Sequence, residues 1–101
     1  MIKIYLAGPM SGIKDNNYPA FFAAAELLQG AGFEVVNPAA IAHDDPGVWS
    51  ACMRKDIQAM LCCQTVVLLP GWRSSRGATI ERNLALDLEI PVIDLSGLCG
   101  L

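Results

Sequence analysis

Residues 65–81 read TVVLLPGWRSSRGATIE. Thr65 to Leu69 form one apolar run rich in β-branched side chains, the pattern of a strand covered on both faces. Pro70 to Arg76 reads as a loop. Ser74 or Ser75 stands where a helix starts, because a hydroxyl there can accept a hydrogen bond from the first turn. Gly77 to Leu88 then reads as a helix. A doubly covered strand that feeds a helix is half of a β-α-β unit, and such units build parallel sheets.

The flanking sequence extends the pattern. Ile2 to Ala7 reads as a strand. Pro19 to Gln29 reads as a helix, with Pro19 suited to its first turn and Gly32 just past its end. Phe33 to Val36 is a second strand, stopped by Asn37-Pro38. His43-Asp44-Asp45-Pro46-Gly47 reads as a loop, in which His43-Asp44-Asp45 forms either a lid over a ligand or, by preference, a solvated turn. Val48 to Cys63 is a helix, and Pro91 to Leu95 a last strand. The order β-α-β-α-β-α-β predicts an α/β three-layer sandwich, Rossmann-like or flavodoxin-like. Its sheet is small, four-stranded and parallel, and right-handed crossovers favour the order 2-1-3-4. The switch point then lies between the first and third strands, where open α/β sheets bind ligands beyond the strand ends. Two loops meet there: Gly8-Pro9-Met10-Ser11-Gly12 and Gly71 to Gly77.

The chain has 101 residues, which fits one domain over residues 1–101. With 53% hydrophobic residues it can form a core. A domain this small buries a limited share of its surface, so a homodimer or higher homo-oligomer is expected. The formal net charge of −3 speaks against nucleic acid and anionic membrane as partners, since both need basic surface. No apolar run approaches the roughly 18 residues of a membrane span, and the N-terminus lacks the long apolar region of a secretory signal. The four cysteines, Cys52, Cys62, Cys63 and Cys99, form no C-x-x-C pair. One histidine leaves no His/Cys cluster for zinc. No metal and no cofactor are expected, and the cysteines read as buried thiols of a cytoplasmic protein.

Two carboxylates stand out. With residues placed about 100° apart around the second helix, Val48, Trp49, Cys52, Met53, Ile57, Ala59, Met60 and Leu61 form an apolar arc. Arg54, Lys55 and Gln58 fill the opposite one. Asp56 falls inside the apolar arc. On the third helix, Ile80, Leu84, Ala85 and Leu88 define the apolar side, and Glu81 projects between Leu88 and Ala85. A carboxylate aimed at a core is costly unless paired or neutralised. Each could cap a loop or pair with an arginine. Two aimed at one switch-point cleft fit acid–base or nucleophilic chemistry better.

The loops supply the rest of a site. Gly8, Ser11 and Gly12 permit close approach of backbone N–H groups to a ligand. Arg73 and Arg76 flank the serines before the third helix, whose N-terminus favours anions. They could clamp a phosphate, or simply face solvent. Tyr5 could turn its hydroxyl into the cleft or belong to the core.

Three segments taken in order resemble the nucleoside 2-deoxyribosyltransferase superfamily, especially its short members and the deoxynucleoside 5′-monophosphate N-glycosidases. They are Ile4-Tyr5-Leu6-Ala7-Gly8-Pro9-Met10-Ser11-Gly12, then Arg54-Lys55-Asp56-Ile57, then Ser75-Arg76-Gly77-Ala78-Thr79-Ile80-Glu81. The resemblance implies that Glu81 attacks the anomeric carbon of a deoxyribose, that Asp56 holds or protonates the departing base, and that Tyr5 orients the glutamate. It places Gly8, Pro9, Met10, Ser11, Gly12, Ser75, Arg76 and Gly77 around the substrate. In the nucleoside transferases the position six before the nucleophile is aspartate. In the monophosphate glycosidases it is serine, as here at Ser75. A serine beside Arg76 and a helix N-terminus accepts a phosphate that an aspartate would repel. The ligand implied is thus a small nucleotide before a free nucleoside. The sequence departs from the resembling enzymes in having four strands where they have five. Ser96 is its only counterpart to the C-terminal polar residue they borrow from a neighbouring subunit, and Arg76 stands where a smaller residue is expected.

Three functions compete: an enzyme acting on the N-glycosidic bond, a nucleotide-binding module that has lost turnover, and a partner-binding α/β domain. The first needs Asp56 and Glu81 at one cleft. The last needs both carboxylates paired internally and no cleft.

Overall fold

The computed structural model describes residues 1–99, the last by its backbone alone. The Cys99 thiol, Gly100 and Leu101, which the single-domain reading takes in, lie outside the described residues. The elements run β1 (Lys3–Ala7), α1 (Tyr18–Gly30), β2 (Glu34–Val36), α2 (Trp49–Met60), β3 (Thr65–Leu68), α3 (Arg76–Asp87), β4 (Val92–Asp94) and α4 (Leu95–Cys99). The sheet has four strands in the order β2-β1-β3-β4, every pair parallel. Tyr5 pairs with Val36 on one side and Val66 on the other. No helix among the described residues is long and apolar enough to cross a membrane.

Alternation along β1 builds two cores, one on each face of the sheet. Ile4 and Leu6 pack with Phe21, Ala24, Ala25 and Leu28 of α1, together with Val67 and Leu69. Tyr5 and Ala7 face the other way, with Val66 and Leu68, and meet Met60 of α2 and Ala78 and Ala85 of α3. The central strands β1 and β3 are therefore covered twice, as the apolar run 65–69 requires. α1 lies on one face, and α2 and α3 on the other.

The helix ends follow from local chemistry. α1 closes with Gly32 at φ 97°. Its N–H donates to Gln29 O at 3.0 Å, and the Phe33 N–H donates to Leu28 O at 3.1 Å. This is the Schellman arrangement, in which a left-handed glycine satisfies the last carbonyls. α2 stops at Met60, not at Cys63 as its apolar pattern suggested. The N–H groups of Cys62 and Cys63 already bond to Ala59 O and Met60 O, and that of Gln64 bonds to Lys3 O of β1. The last strand likewise ends at Asp94, and Leu95 opens α4 instead.

The apolar side assigned to α3 needs correction. Ile80 and Leu88 are 38% and 51% exposed, while Ala78, Glu81 and Ala85 are buried. Ala78 and Ala85 carry the contact with the sheet and Leu84 packs at its edge, so Ile80 and Leu88 project outward.

Candidate active site

The site begins where β1 ends. A Cβ on Gly8 would come within 2.8 Å of Leu69 Cβ, so only glycine lets the chain leave β1 beside β3. Leu69 N–H donates to Ala7 O at 2.8 Å. The loop after β3 turns back at Gly71, φ 86°, where a Cβ would stand 3.3 Å from Pro9. The two loops are thus pressed together at the switch point. The first continues through three consecutive left-handed residues, Asp15, Asn16 and Asn17 at φ 55°, 52° and 58°. Asp and Asn tolerate that region better than other residues with a Cβ. Asn17 Nδ2 donates back to Pro9 O at 2.9 Å, which braces the loop.

Behind the loops lies a cavity of about 780 Å³. Among the candidate residues, Tyr5, Gly8, Pro9, Met10, Ser11, Asp56, Ser75, Arg76, Gly77 and Glu81 all line it, and Gly12 does not. Gly12 turns the loop at φ 80° and is exposed.

α3 delivers Glu81 and the anion-favouring end. Ser75 is the cap, its Oγ accepting from the Ala78 N–H at 3.1 Å. Ser74 instead donates to Gly71 O at 2.9 Å. The first-turn N–H groups of a helix have no partner within it, and here they sit at the cavity wall. Gly77 lets α2 approach, since a Cβ there would meet Met53 Sδ at 3.0 Å. The two arginines part company. Arg76 lines the cavity and lies over the Trp49 ring, 4.4 Å from its centroid. Arg73 lies over Trp72, 4.7 Å from its centroid, and is not on the cavity wall. A clamp by both arginines is not formed.

Glu81 is 5% exposed, Asp56 9% and Tyr5 0%. The Tyr5 hydroxyl donates to Glu81 Oε2 at 2.5 Å, so Tyr5 belongs to the core and to the site at once. Burial pushes the Glu81 carboxyl up to about 8; the Tyr5 hydrogen bond pulls against that, and the Asp56 charge adds to it. Tyr5 is held well above its ordinary range, by burial first and the Glu81 charge second. Burial also raises Asp56, opposed by His43.

His43 is the residue that pattern reading missed. Its Nε2 lies 2.8 Å from Asp56 Oδ1. The solvated-turn reading holds for Asp44 and Asp45, which are exposed, and is corrected for His43, which is largely covered and lines the cavity. Trp49, Tyr18 and Ile13 add apolar wall. Trp49 already stood in the apolar arc of α2, yet it is 40% exposed because it faces the cavity and not the core.

A family model described as "Domain of unknown function (DUF4406)" matches residues 2–94. The chain belongs to this family. The match takes in every residue of the site from Tyr5 to Glu81. No curated protein matches the chain.

The arrangement offers two buried carboxyl groups on separate helices, a phenol on one, an imidazole on the other, and a helix N-terminus with an arginine at the rim. Such a set can attack carbon, move a proton to a leaving group and hold an anion.

Proposed function

We propose that this chain cleaves or exchanges the N-glycosidic bond of a deoxynucleoside 5′-monophosphate, with Glu81 as nucleophile. The observation that carries the reading is the pair Glu81 and Asp56: both are buried and both line one open cavity. Neither is paired with an arginine or lysine, since the salt bridges among the described residues are Lys3–Glu34 and His43–Asp56. A carboxyl held off water without a fixed positive partner is poised for chemistry more than for stability.

In the proposed reaction Glu81 attacks the anomeric carbon as the bond to the base breaks, through a transition state with oxocarbenium character. A glycosyl ester forms on Glu81. Tyr5 holds one carboxylate oxygen and leaves the other to attack. Asp56 gives its proton to the departing base. Water then opens the ester, or a second base does. The 5′-phosphate is assigned to the N-terminus of α3, with the Ser75 hydroxyl and Arg76. Kinship with the nucleoside 2-deoxyribosyltransferases is part of the same proposal. So is a homo-oligomer, for which the exposed Leu61, Ile80 and Leu88 supply apolar surface. So is a cytoplasmic location, in keeping with the free thiols of Cys52, Cys62 and Cys63, although Cys62 is exposed and Cys52 half-buried where the sequence predicts buried thiols.

The deciding experiment incubates the protein with a panel of deoxynucleoside monophosphates and measures free base by chromatography. Base release that is lost in Glu81→Ala is expected. Release that survives the substitution overturns the nucleophile, and saturable nucleotide binding without product leaves the binding module instead.

A further inference from the structure

His43 is the single histidine of the chain, and its loop is fastened along α2 at successive points. Cys52 Sγ donates to Asp45 O at 3.5 Å, Lys55 Nζ donates to the Ala42 carbonyl, and His43 Nε2 meets Asp56 Oδ1 at 2.8 Å. The last contact is largely out of water, with 16% and 12% of the two side chains exposed. It engages one oxygen of Asp56. Oδ2 has no protein partner among the described residues. Imidazole and carboxyl share the wall of the main cavity, and the ring also borders a second cavity of about 390 Å³ lined by Asp44, Asp45 and Arg54. The ring is therefore not sealed behind Asp56.

We propose that His43 is a positioning residue that fixes where Asp56 carries its proton: His43 donates Nε2–H to Oδ1, and the acid proton sits on Oδ2, facing the base of the bound nucleotide. The inference rests on the function proposed above and extends it to the leaving group. As the C1′–N bond breaks, its electron pair goes to the base. The proton on Oδ2 passes to a base nitrogen, and the base departs neutral. The charge left on Asp56 is met by the His43 N–H, a charge-assisted hydrogen bond of the stronger kind. When water opens the Glu81 ester, its hydroxyl goes to C1′ and its proton returns to Asp56. The other groups that face Asp56 are Glu81 on α3, Tyr5 on β1 and Lys55 on its own helix. None of them is hydrogen-bonded to it, so the orienting contact belongs to His43.

The position makes a distinction that a structural role would not. A base that needs a proton to leave depends on His43. A base that leaves neutral without one, such as an N7-methylated purine, does not. With an ordinary purine monophosphate, kcat of His43→Ala should fall about a hundredfold, the low end of a general-acid contribution, with KM little changed. With the N7-methylated substrate kcat should stay within about threefold. His43→Gln should recover part of the loss, because its amide N–H can take the place of Nε2–H. Equal loss on both substrates overturns the proposal. Nitrogen NMR of the lone histidine gives a readout that needs no turnover: the Nε2–H tautomer is expected, with a changed Nε2 chemical shift in Asp56→Asn. An Nδ1–H tautomer, or a ring indifferent to Asp56→Asn, overturns it. If the wild-type protein releases no base from either substrate, the proposed function fails while the NMR result still decides the proton arrangement.

Discussion

The Tyr5 hydroxyl lies 2.5 Å from Glu81 Oε2 and joins β1 to α3 across 76 positions of sequence. Both groups are buried, Tyr5 within an apolar core, so the contact links the central strand to the proposed nucleophile. A carboxylate in that setting is stabilised by the hydroxyl more strongly than it would be in water. Tyr5→Phe removes the donor and keeps the ring. The Glu81 carboxyl should then move further up from about 8, and base release at neutral pH should fall about tenfold to a hundredfold. Comparing the two proteins across pH checks this, since the acidic limb of the variant's profile should lie at higher pH.

The same carboxyl makes stability depend on pH. Glu81 is raised by burial to about 8 from an ordinary 4.5. Between these values the folded chain holds a proton that the unfolded chain has released. Its contribution is complete below about 4.5 and is lost as pH rises through about 8, on the order of 5 kcal/mol in all. Asp56, also raised by burial, adds a term of the same sign. Urea unfolding at pH 6 and pH 9 should show the protein more stable at pH 6. Glu81→Gln should flatten most of that difference and stabilise the fold at pH 9.

The rate of base release should be bell-shaped in pH. With both carboxyls protonated there is no nucleophile, and with both ionised there is no acid. The working form carries one proton between Asp56 and Glu81, and the two limbs belong to the pair. A rate that climbs without a maximum up to pH 10 would remove the acid role of Asp56.

How far the sequence reaches is clearest on the helices. Asp56 was legible because a single acid inside an apolar arc breaks a strong period, and the period survives folding. Glu81 was legible for the same reason, although the side chains beside it were not. Ile80 and Leu88 look like core by hydropathy, yet α3 rests on the sheet through Ala78 and Ala85. Which side of a helix faces in is then set by how closely it approaches, and small residues carry little hydropathy signal. His43 carries no periodic signal, and its loop reads as a solvated turn in preference to a lid. Its partner is 13 positions away, and the path of the connecting loop depends on contacts such as Lys55 to Ala42 that obey no period. Arg73 shows the same limit: spacing put it beside Arg76, and a neighbouring indole took it elsewhere.

The packing of the loops gives a prediction about stability alone. Gly8→Ala places a methyl group 2.8 Å from Leu69 Cβ, and Leu69 is itself buried. Neither β1 nor β3 can give way without disturbing the pairs Ala7–Leu68 and Leu6–Val67. The substitution should cost about 1 to 3 kcal/mol. Gly30→Ala meets nothing within 4 Å at the last residue of α1 and should be neutral or stabilising by up to about 1 kcal/mol. Chemical denaturation of the two variants compares them directly.

Arg76 stacks on Trp49, 4.4 Å from the ring centroid, and both line the cavity. A guanidinium over an indole is held by about 0.5 to 1 kcal/mol at an exposed site. A phosphate at the N-terminus of α3 offers it a charged partner in bidentate geometry, which is stronger. The guanidinium should therefore leave the ring when a 5′-monophosphate binds. Indole emission should change on titration with a deoxynucleoside monophosphate, and Trp49→Phe should abolish the change although Trp72 remains. The free nucleoside lacks the group that draws the arginine away and should leave emission nearly unaltered. Arg76→Ala should raise KM for the monophosphate about tenfold, matching a loss of about 1.4 kcal/mol, and leave KM for the nucleoside unchanged. Equal effects on both would place the phosphate somewhere other than the Arg76 end of the cleft.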